Sequence, residues 1–214
     1  MLNCAEELIL LALDDESGNF HRMTNVNFNL ALVGALLMDL ALRDRIDVDL
    51  NHIYVIDRNP TGDLFLDHIL EILAEPETSG DTAKLVRFLY NSLEYLKDKL
   101  LTSLNEKGII RVEESKILWL FKHRRYPVID QREEEEVLTR IRKTVMTDVI
   151  PEPKDLALIA LVNTCDLLDK IFSKEELQQY GERIEVLQRM DLIGHAVNKI
   201  IEEVQIMIAS TFIT

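Results

Sequence analysis

The sequence is poor in residues that break or cross-link a chain. Seven glycines and five prolines in 214 residues leave few turns, so long regular elements follow, most of them helical. Two cysteines, Cys4 and Cys165, exclude a disulfide framework and suit a reducing cytoplasm. Cys165 lies in the apolar stretch 156–168 and reads as a buried structural thiol. Basic residues are also scarce: 24 Lys and Arg stand against 38 Asp and Glu, a net charge of −14. That balance excludes indiscriminate nucleic-acid binding, which needs a positive surface. The longest apolar run, Leu30–Met38, is about half the ~20 residues a membrane span requires. The first seven residues have no basic region and already carry acids, so no secretory signal is expected.

Catalytic and metal-binding signatures are missing too. None of His21, His52, His68, His123 and His195 pairs with Cys or His at metal-ligand spacing. His68 and Glu71, three apart on a predicted helix, are too little by themselves. There is no Gly-rich phosphate loop, nucleophile elbow or kinase signature. Asp14-Asp15-Glu16 lacks the rest of a calcium loop and reads as a solvated acidic turn. Glu133–Glu136 reads as a solvated helix start, where acids suit the macrodipole. The expectation is a non-enzymatic protein with no catalytic residue, no metal and no cofactor.

What is present is a run of helical patterns. Leu8–Leu13 is a short helix closed by the acidic turn. Phe28–Arg45 and Leu156–Phe172 are apolar nearly all round, as helices at the centre of a bundle are. Ile46–Ile56 alternates and reads as a hairpin. Asp63 caps a helix over Leu64–Leu73. Asp81–Lys107 repeats leucines at three- and four-residue steps and stops at Gly108. Ile109–Val112 and Ile117–Phe121, flanking Glu113–Lys116, predict a second hairpin. Gln131–Val149 is a charged amphipathic helix, Ser173–Glu176 a capping box, and Leu192–Ala209 a final helix. The fold class is therefore all-α in the main: a central helical bundle surrounded by amphipathic helices, with small β-hairpins near 46–56 and 109–122. One domain spans 1–214.

The scarce basic residues are unevenly placed. Residues 107–143 hold ten Lys or Arg and seven Asp or Glu, net +3, so the remainder carries −17. The only tryptophan sits in this window, in Leu118-Trp119-Leu120-Phe121-Lys122-His123-Arg124-Arg125-Tyr126. An apolar tip followed by cations suits a membrane interface: indole favours the headgroup level, and each cation near an anionic surface contributes about 1 kcal/mol. Three other readings compete. Trp119 or Phe121 packs into the core, as large apolar residues mostly do; the hairpin edge forms a subunit contact; or the hairpin is the wing of a winged-helix DNA binder, which the −17 remainder disfavours.

Segments 7–18 (ELILLALDDESG), 34–46 (GALLMDLALRDRI), 59–70 (NPTGDLFLDHIL), 105–110 (NEKGII), 125–128 (RYPV) and 155–168 (DLALIALVNTCDLL) occur in an order that resembles the Golgi phosphoprotein 3 family over nearly the whole chain. The resemblance implies an all-α fold and a non-enzymatic peripheral membrane protein that recognises phosphatidylinositol 4-phosphate. In eukaryotic relatives it also implies binding to glycosyltransferase tails and a coat complex. The hairpin would serve self-association and membrane contact. The family's lipid pocket, one Trp and three Arg, aligns with Met23 or Thr24, Val33, Glu94 and Lys97. Only Lys97 keeps a positive charge, and Val and Glu cannot hold a phosphate by charge-assisted hydrogen bonds. The family's basic N-terminal tail is missing as well, which fits a prokaryotic-type relative.

Two functions follow as expectations. The first is a cytoplasmic, peripheral membrane adaptor on anionic lipid, a phosphoinositide among them, or on a membrane-protein tail. Lys97, Lys122, Arg124 and Arg125 would meet headgroups, and Trp119, Leu120 and Phe121 would insert. The second is a soluble interaction module that forms homo-oligomers through the hairpin and the apolar stretch 206–213 and no longer binds lipid. Neither involves nucleic acid.

Overall fold

The computed structural model describes residues 2–21, 25–48, 53–75, 93–117 and 121–190. Among them are eight helices and two strand pairs. In chain order they are α1 Cys4–Ala12, α2 Asn25–Ala41, β1 Ile46–Val48, β2 Ile53–Val55, α3 Leu64–Ala74, α4 Leu93–Glu106, β3 Glu113–Ile117, β4 Phe121–Arg125, α5 Arg132–Met146, α6 Pro153–Thr164, α7 Leu168–Ile171 and α8 Lys174–Met190. The expected mostly helical class holds. Residues 81–92 of the long predicted helix, the C-terminal helix and the stretch 206–213 lie outside the described residues.

The centre is α1, α2 and α6. They are buried on nearly every side, so each is enclosed rather than laid on a surface. Amphipathic α4, α5 and α8 cover them, each presenting one apolar face: Leu96, Leu100 and Leu104 on α4, Val137 and Ile141 on α5, Ile184 and Leu187 on α8.

Local signals set the ends. Asp63 Oδ1 accepts from Leu66 N at 3.3 Å at the start of α3. Ser173 and Glu176 exchange hydrogen bonds at the start of α8 (3.2 and 2.8 Å). Gly108, at φ 71°, closes α4: its N–H reaches Asn105 O and that of Ile109 reaches Leu104 O, both at 3.0 Å.

Several boundaries differ from the sequence reading: α1 begins at Cys4 rather than Leu8, α2 ends at Ala41 rather than Arg45, and two differences are larger. The apolar stretch 156–172 is not one helix. It breaks after Thr164, where Asp166 adopts φ 56°, a left-handed conformation that Asp tolerates. The second hairpin also lies further along than expected. Its strands pair Glu113 with Arg125 and Glu114 with Arg124, so opposite charges face each other across the ribbon. The segment expected as the first strand instead forms the ribbon's root: Arg111 N donates to Pro127 O at 3.0 Å and Ile129 N to Ile109 O at 2.8 Å.

All of α1 is buried, including Glu6 and Glu7. Such charges persist only when paired and hydrogen-bonded. Glu7 accepts from both terminal nitrogens of Arg140 (2.8 and 3.3 Å) and from Lys154 Nζ (2.6 Å). Arg140 Nε turns to buried Asp155 at 3.1 Å. Glu6 accepts from Ser103 and Lys107, and closes a capping box with Asn3. Inside α2, Asp39 accepts the first N–H groups of α1, from Cys4 (2.7 Å) and Ala5 (3.2 Å). Burial outweighs these bonds and pushes the Asp39 carboxyl up to about 7.

Two predictions follow. Arg140→Ala leaves Glu7 and Asp155 buried without their main partner and should lower unfolding stability by about 3 kcal/mol, read from the denaturant midpoint. Asp39 binds a proton more tightly folded than unfolded, so its contribution falls as pH rises from its ordinary 3.8 to about 7 and is flat above. Asp39→Asn should remove that fall, at most about 1.4 kcal/mol per pH unit, in unfolding curves taken across that window.

Candidate functional site

The hairpin root and the middle of α4 meet at a cluster of aromatic rings and charges. Lys97 reaches from α4 over Phe20, its Nζ 4.1 Å from the ring centroid, and lies 5.4 Å from the Phe28 ring. The two Phe rings are tilted against each other at 5.2 Å, and Tyr126 meets Phe20 edge-on at 6.1 Å. Phe28 is buried in α2, while Phe20 and Tyr126 are partly buried against the core. Burial on these rings holds the Lys97 ammonium below its ordinary 10.5, against the opposing pull of Glu94 and Asp98. A cation over aromatic faces is attracted by the ring quadrupole, so Lys97 is half withdrawn from solvent yet still compensated.

Arg124 stands beside it. Its Nε donates to Glu114 Oε1 at 3.0 Å across the ribbon, and its Nη1 lies 3.5 Å from Asp98 on α4. The Glu114 bond raises the guanidinium above its usual range, and burial raises the Tyr126 phenol. Lys97 and Arg124 belong to one cluster only indirectly: Tyr126 packs on Phe20, which lies under Lys97, and Asp98, the residue after Lys97 on α4, pairs with Arg124. Strand alternation turns Arg125 to the opposite face of the ribbon, where it is exposed. Trp119 and Leu120 lie outside the described residues, and of Phe121 and Lys122 only the strand backbone is described.

Of the other pocket positions, Val33 is buried in the core and Glu94 is exposed; Met23 and Thr24 lie outside the described residues. The +3 window is also less free than its charge suggests. Lys107, Arg124, Arg132, Arg140 and Arg142, five of its ten cations, are engaged by carboxylates of the chain itself.

Sequence reading missed Phe20 and Phe28 as partners of Lys97 and Tyr126 as the ring that packs on Phe20. A usable signal was their scarcity, 6% aromatic residues in all, together with the glycine beside them. Gly18 sits at φ 64°, and a Cβ there would stand 2.5 Å from Pro127 N. Its carbonyl accepts from Tyr126 N at 2.6 Å. Only glycine lets the α1–α2 loop come this close to the hairpin root.

No group of three or more His, Cys, Asp or Glu side chains among the described residues could hold a metal ion. No helix among them is long and apolar enough to cross a membrane. Cys165 is buried, and burial pushes its thiol up to about 12, which makes it inert.

The profile of Golgi phosphoprotein 3 (GPP34) matches residues 4–204. The chain belongs to the Golgi phosphoprotein 3 family. It is 28% identical to vacuolar protein sorting-associated protein 74 of Eremothecium gossypii, over 94% of this chain and 72% of the relative. A VPS74-like protein of Dictyostelium discoideum is 29% identical over 76% of this chain and 66% of the relative.

The ring contact yields a direct test. Phe20→Ala should open Lys97 to water and move its titration up toward 10.5, followed by NMR of its ε-carbon. Tyr95→Ala, on the same helix but exposed, should leave that titration unchanged.

Proposed function

We propose that this protein is a non-enzymatic peripheral membrane adaptor that docks from the cytoplasm on anionic lipid headgroups. The observation that supports the reading is that Lys97 and Arg124 both join the cluster at the hairpin root, one over Phe20 and the other beside Asp98, in a member of the Golgi phosphoprotein 3 family. Exposed Arg111 and Arg125 extend the positive field along the ribbon, and Lys122 with the apolar tip 119–121 continues it in sequence. The acidic body does not prevent such contact, because salt screens distant charges beyond about 8 Å. An oriented approach, ribbon first, keeps the carboxylates behind.

Recognition is by charge more than by headgroup shape. A phosphate needs several fixed donors, and Val33 and Glu94 supply none. A phosphoinositide is thus bound as one anionic lipid among others. The alternative reading, self-association through the hairpin without lipid, draws on β3–β4 being a separate two-stranded sheet among the described residues, whose edges could pair with a second copy.

Flotation with phosphatidylcholine vesicles carrying phosphatidylserine or phosphatidylinositol 4-phosphate at matched charge tests the proposal. Binding at low salt should be similar for both. It should fall more than about tenfold when Arg124 and Arg125 are both changed to Glu, given about 1 kcal/mol per cation, and should weaken with Lys97→Glu. Absence of binding at low salt, with dimers in light scattering, would favour the second reading.

A further inference from the structure

Three cations from separate parts of the chain line one cavity of about 390 Å³, a volume in the range of small-molecule sites. Arg43 follows α2, Lys107 follows α4, and Lys154 lies in the first turn of α6. None of them belongs to the Lys97–Arg124 cluster or to the positions that align with the family's pocket. The deeper lining is Leu2, Glu6 and Asp39, all buried.

The carboxylates of this lining are already spent on the chain itself. Asp39 accepts from Cys4 N and Ala5 N, one on each oxygen. Glu6 Oε1 accepts from Ser103 and Lys107, and its Oε2 accepts from Asn3 N at 3.0 Å. Asp63 Oδ1 takes Leu66 N. The cations are less fully used. An ammonium carries three N–H donors and a guanidinium five. Lys154 gives one to Leu2 O at 2.8 Å and one to Glu7, and Lys107 gives one to Glu6. Arg43 is exposed and makes one long bond, from Nη1 to Thr61 O at 3.5 Å. Two of the three donors are also held in place beforehand, because Glu6 and Glu7, neighbours on buried α1, anchor Lys107 and Lys154. An incoming anion thus has little left to order.

We propose that this cavity binds the phosphate or sulfate group of a small anionic molecule, with Arg43, Lys107 and Lys154 as its donors. Cations brought from three elements suit a tetrahedral group, whose oxygens point several ways, better than a planar carboxylate, which one guanidinium satisfies. The lining has as many acids as cations, Glu6, Asp39 and Asp63 against these three. Attraction therefore comes from the unspent N–H groups and not from net charge.

Titration of the intact chain with inorganic phosphate and with sulfate, at constant ionic strength against chloride, tests this without lipid. The amide NMR signals of Leu2, Arg43 and Lys107 should shift together and saturate. Arg43→Gln should weaken binding by about tenfold or more, the loss expected for a hydrogen bond to a charged group. Lys97→Glu should leave it unchanged, so this result is separate from the outcome of membrane docking. If Arg43→Gln disturbs the amides of α6, Lys107→Gln takes its place, since Glu6 keeps Ser103 as a partner. Flotation with phosphatidylcholine vesicles carrying phosphatidic acid or phosphatidylserine at matched charge identifies the source of the group. Extra binding to phosphatidic acid that Arg43→Gln removes means that the group is presented on a lipid; saturable shifts without it mean a soluble molecule. Neither shifts nor that extra binding would overturn the proposal. So would shifts that both substitutions leave intact, which mark an adventitious ion only.

Discussion

The neutralisation of the acids on α1 is the constraint that the rest of the structure depends on. A nine-residue helix buried on every side is short for a central element, and two of its residues are glutamates. Removing a carboxylate from water costs several kcal/mol unless donors surround it. The donors here come from separate parts of the chain: Arg140 on α5, Lys154 on α6, Ser103 and Lys107 at the end of α4. Asp39 on α2 adds the reverse arrangement, a buried acceptor for the helix's own first N–H groups. Since each donor must reach its acceptor, the network sets how α2, α4, α5 and α6 sit around α1. Apolar contact alone specifies such positions less sharply, because dispersion and burial are nearly indifferent to small rotations.

Once α1 is held, its exit is held as well. The loop leaving it runs back along the hairpin root, where Gly18 allows a close approach to Pro127. That path delivers Phe20 onto Lys97 and Tyr126. The candidate site is thus assembled from a loop, two helices and a strand end whose positions are inherited from a charge network on the far side of α1. The same economy governs the basic window. Arg140, Arg142 and Lys107 tie the chain's own elements together, so they add little outward field, while Arg124, paired but part exposed, and exposed Arg111 and Arg125 stand near the ribbon. A count of charges along the chain overstates what a membrane would meet, and orientation decides what it does meet.

Much of the fold was legible because the signals were local. The stretches around 28–41 and 156–164 carry no polar face and can only be central. Asp63, Ser173 and Gly108 sit where caps and stops belong, and each behaves accordingly. Where two distant segments had to be matched, the reading slipped. Strand alternation around 109–125 admits more than one register, and the one adopted is selected by Glu114 meeting Arg124. The break at Asp166 has no apolar, glycine or proline signal before it. Glu133–Glu136 read as solvated, yet Glu134 is partly buried; nothing marked Glu6 and Glu7 as core residues, since a carboxylate is almost always outside unless a partner is waiting, and their partners lie far away in the chain.

The amino-acid sequence alone determined the helical class, the central helices, most of the caps, the charge asymmetry and, through an ordered set of segments, the family. These properties follow from spacing within one element or from composition, and neither needs a distant contact. Tertiary structure alone decided which of the described cations are paired, that Lys97 is covered by Phe20 and Phe28, that Arg124 and Arg125 face opposite ways, and that Asp15 and Glu134 line one cavity. A charge has a sign in the sequence, but its solvation and its partners exist only after folding. It is those, more than the sign, that govern what the charge can bind.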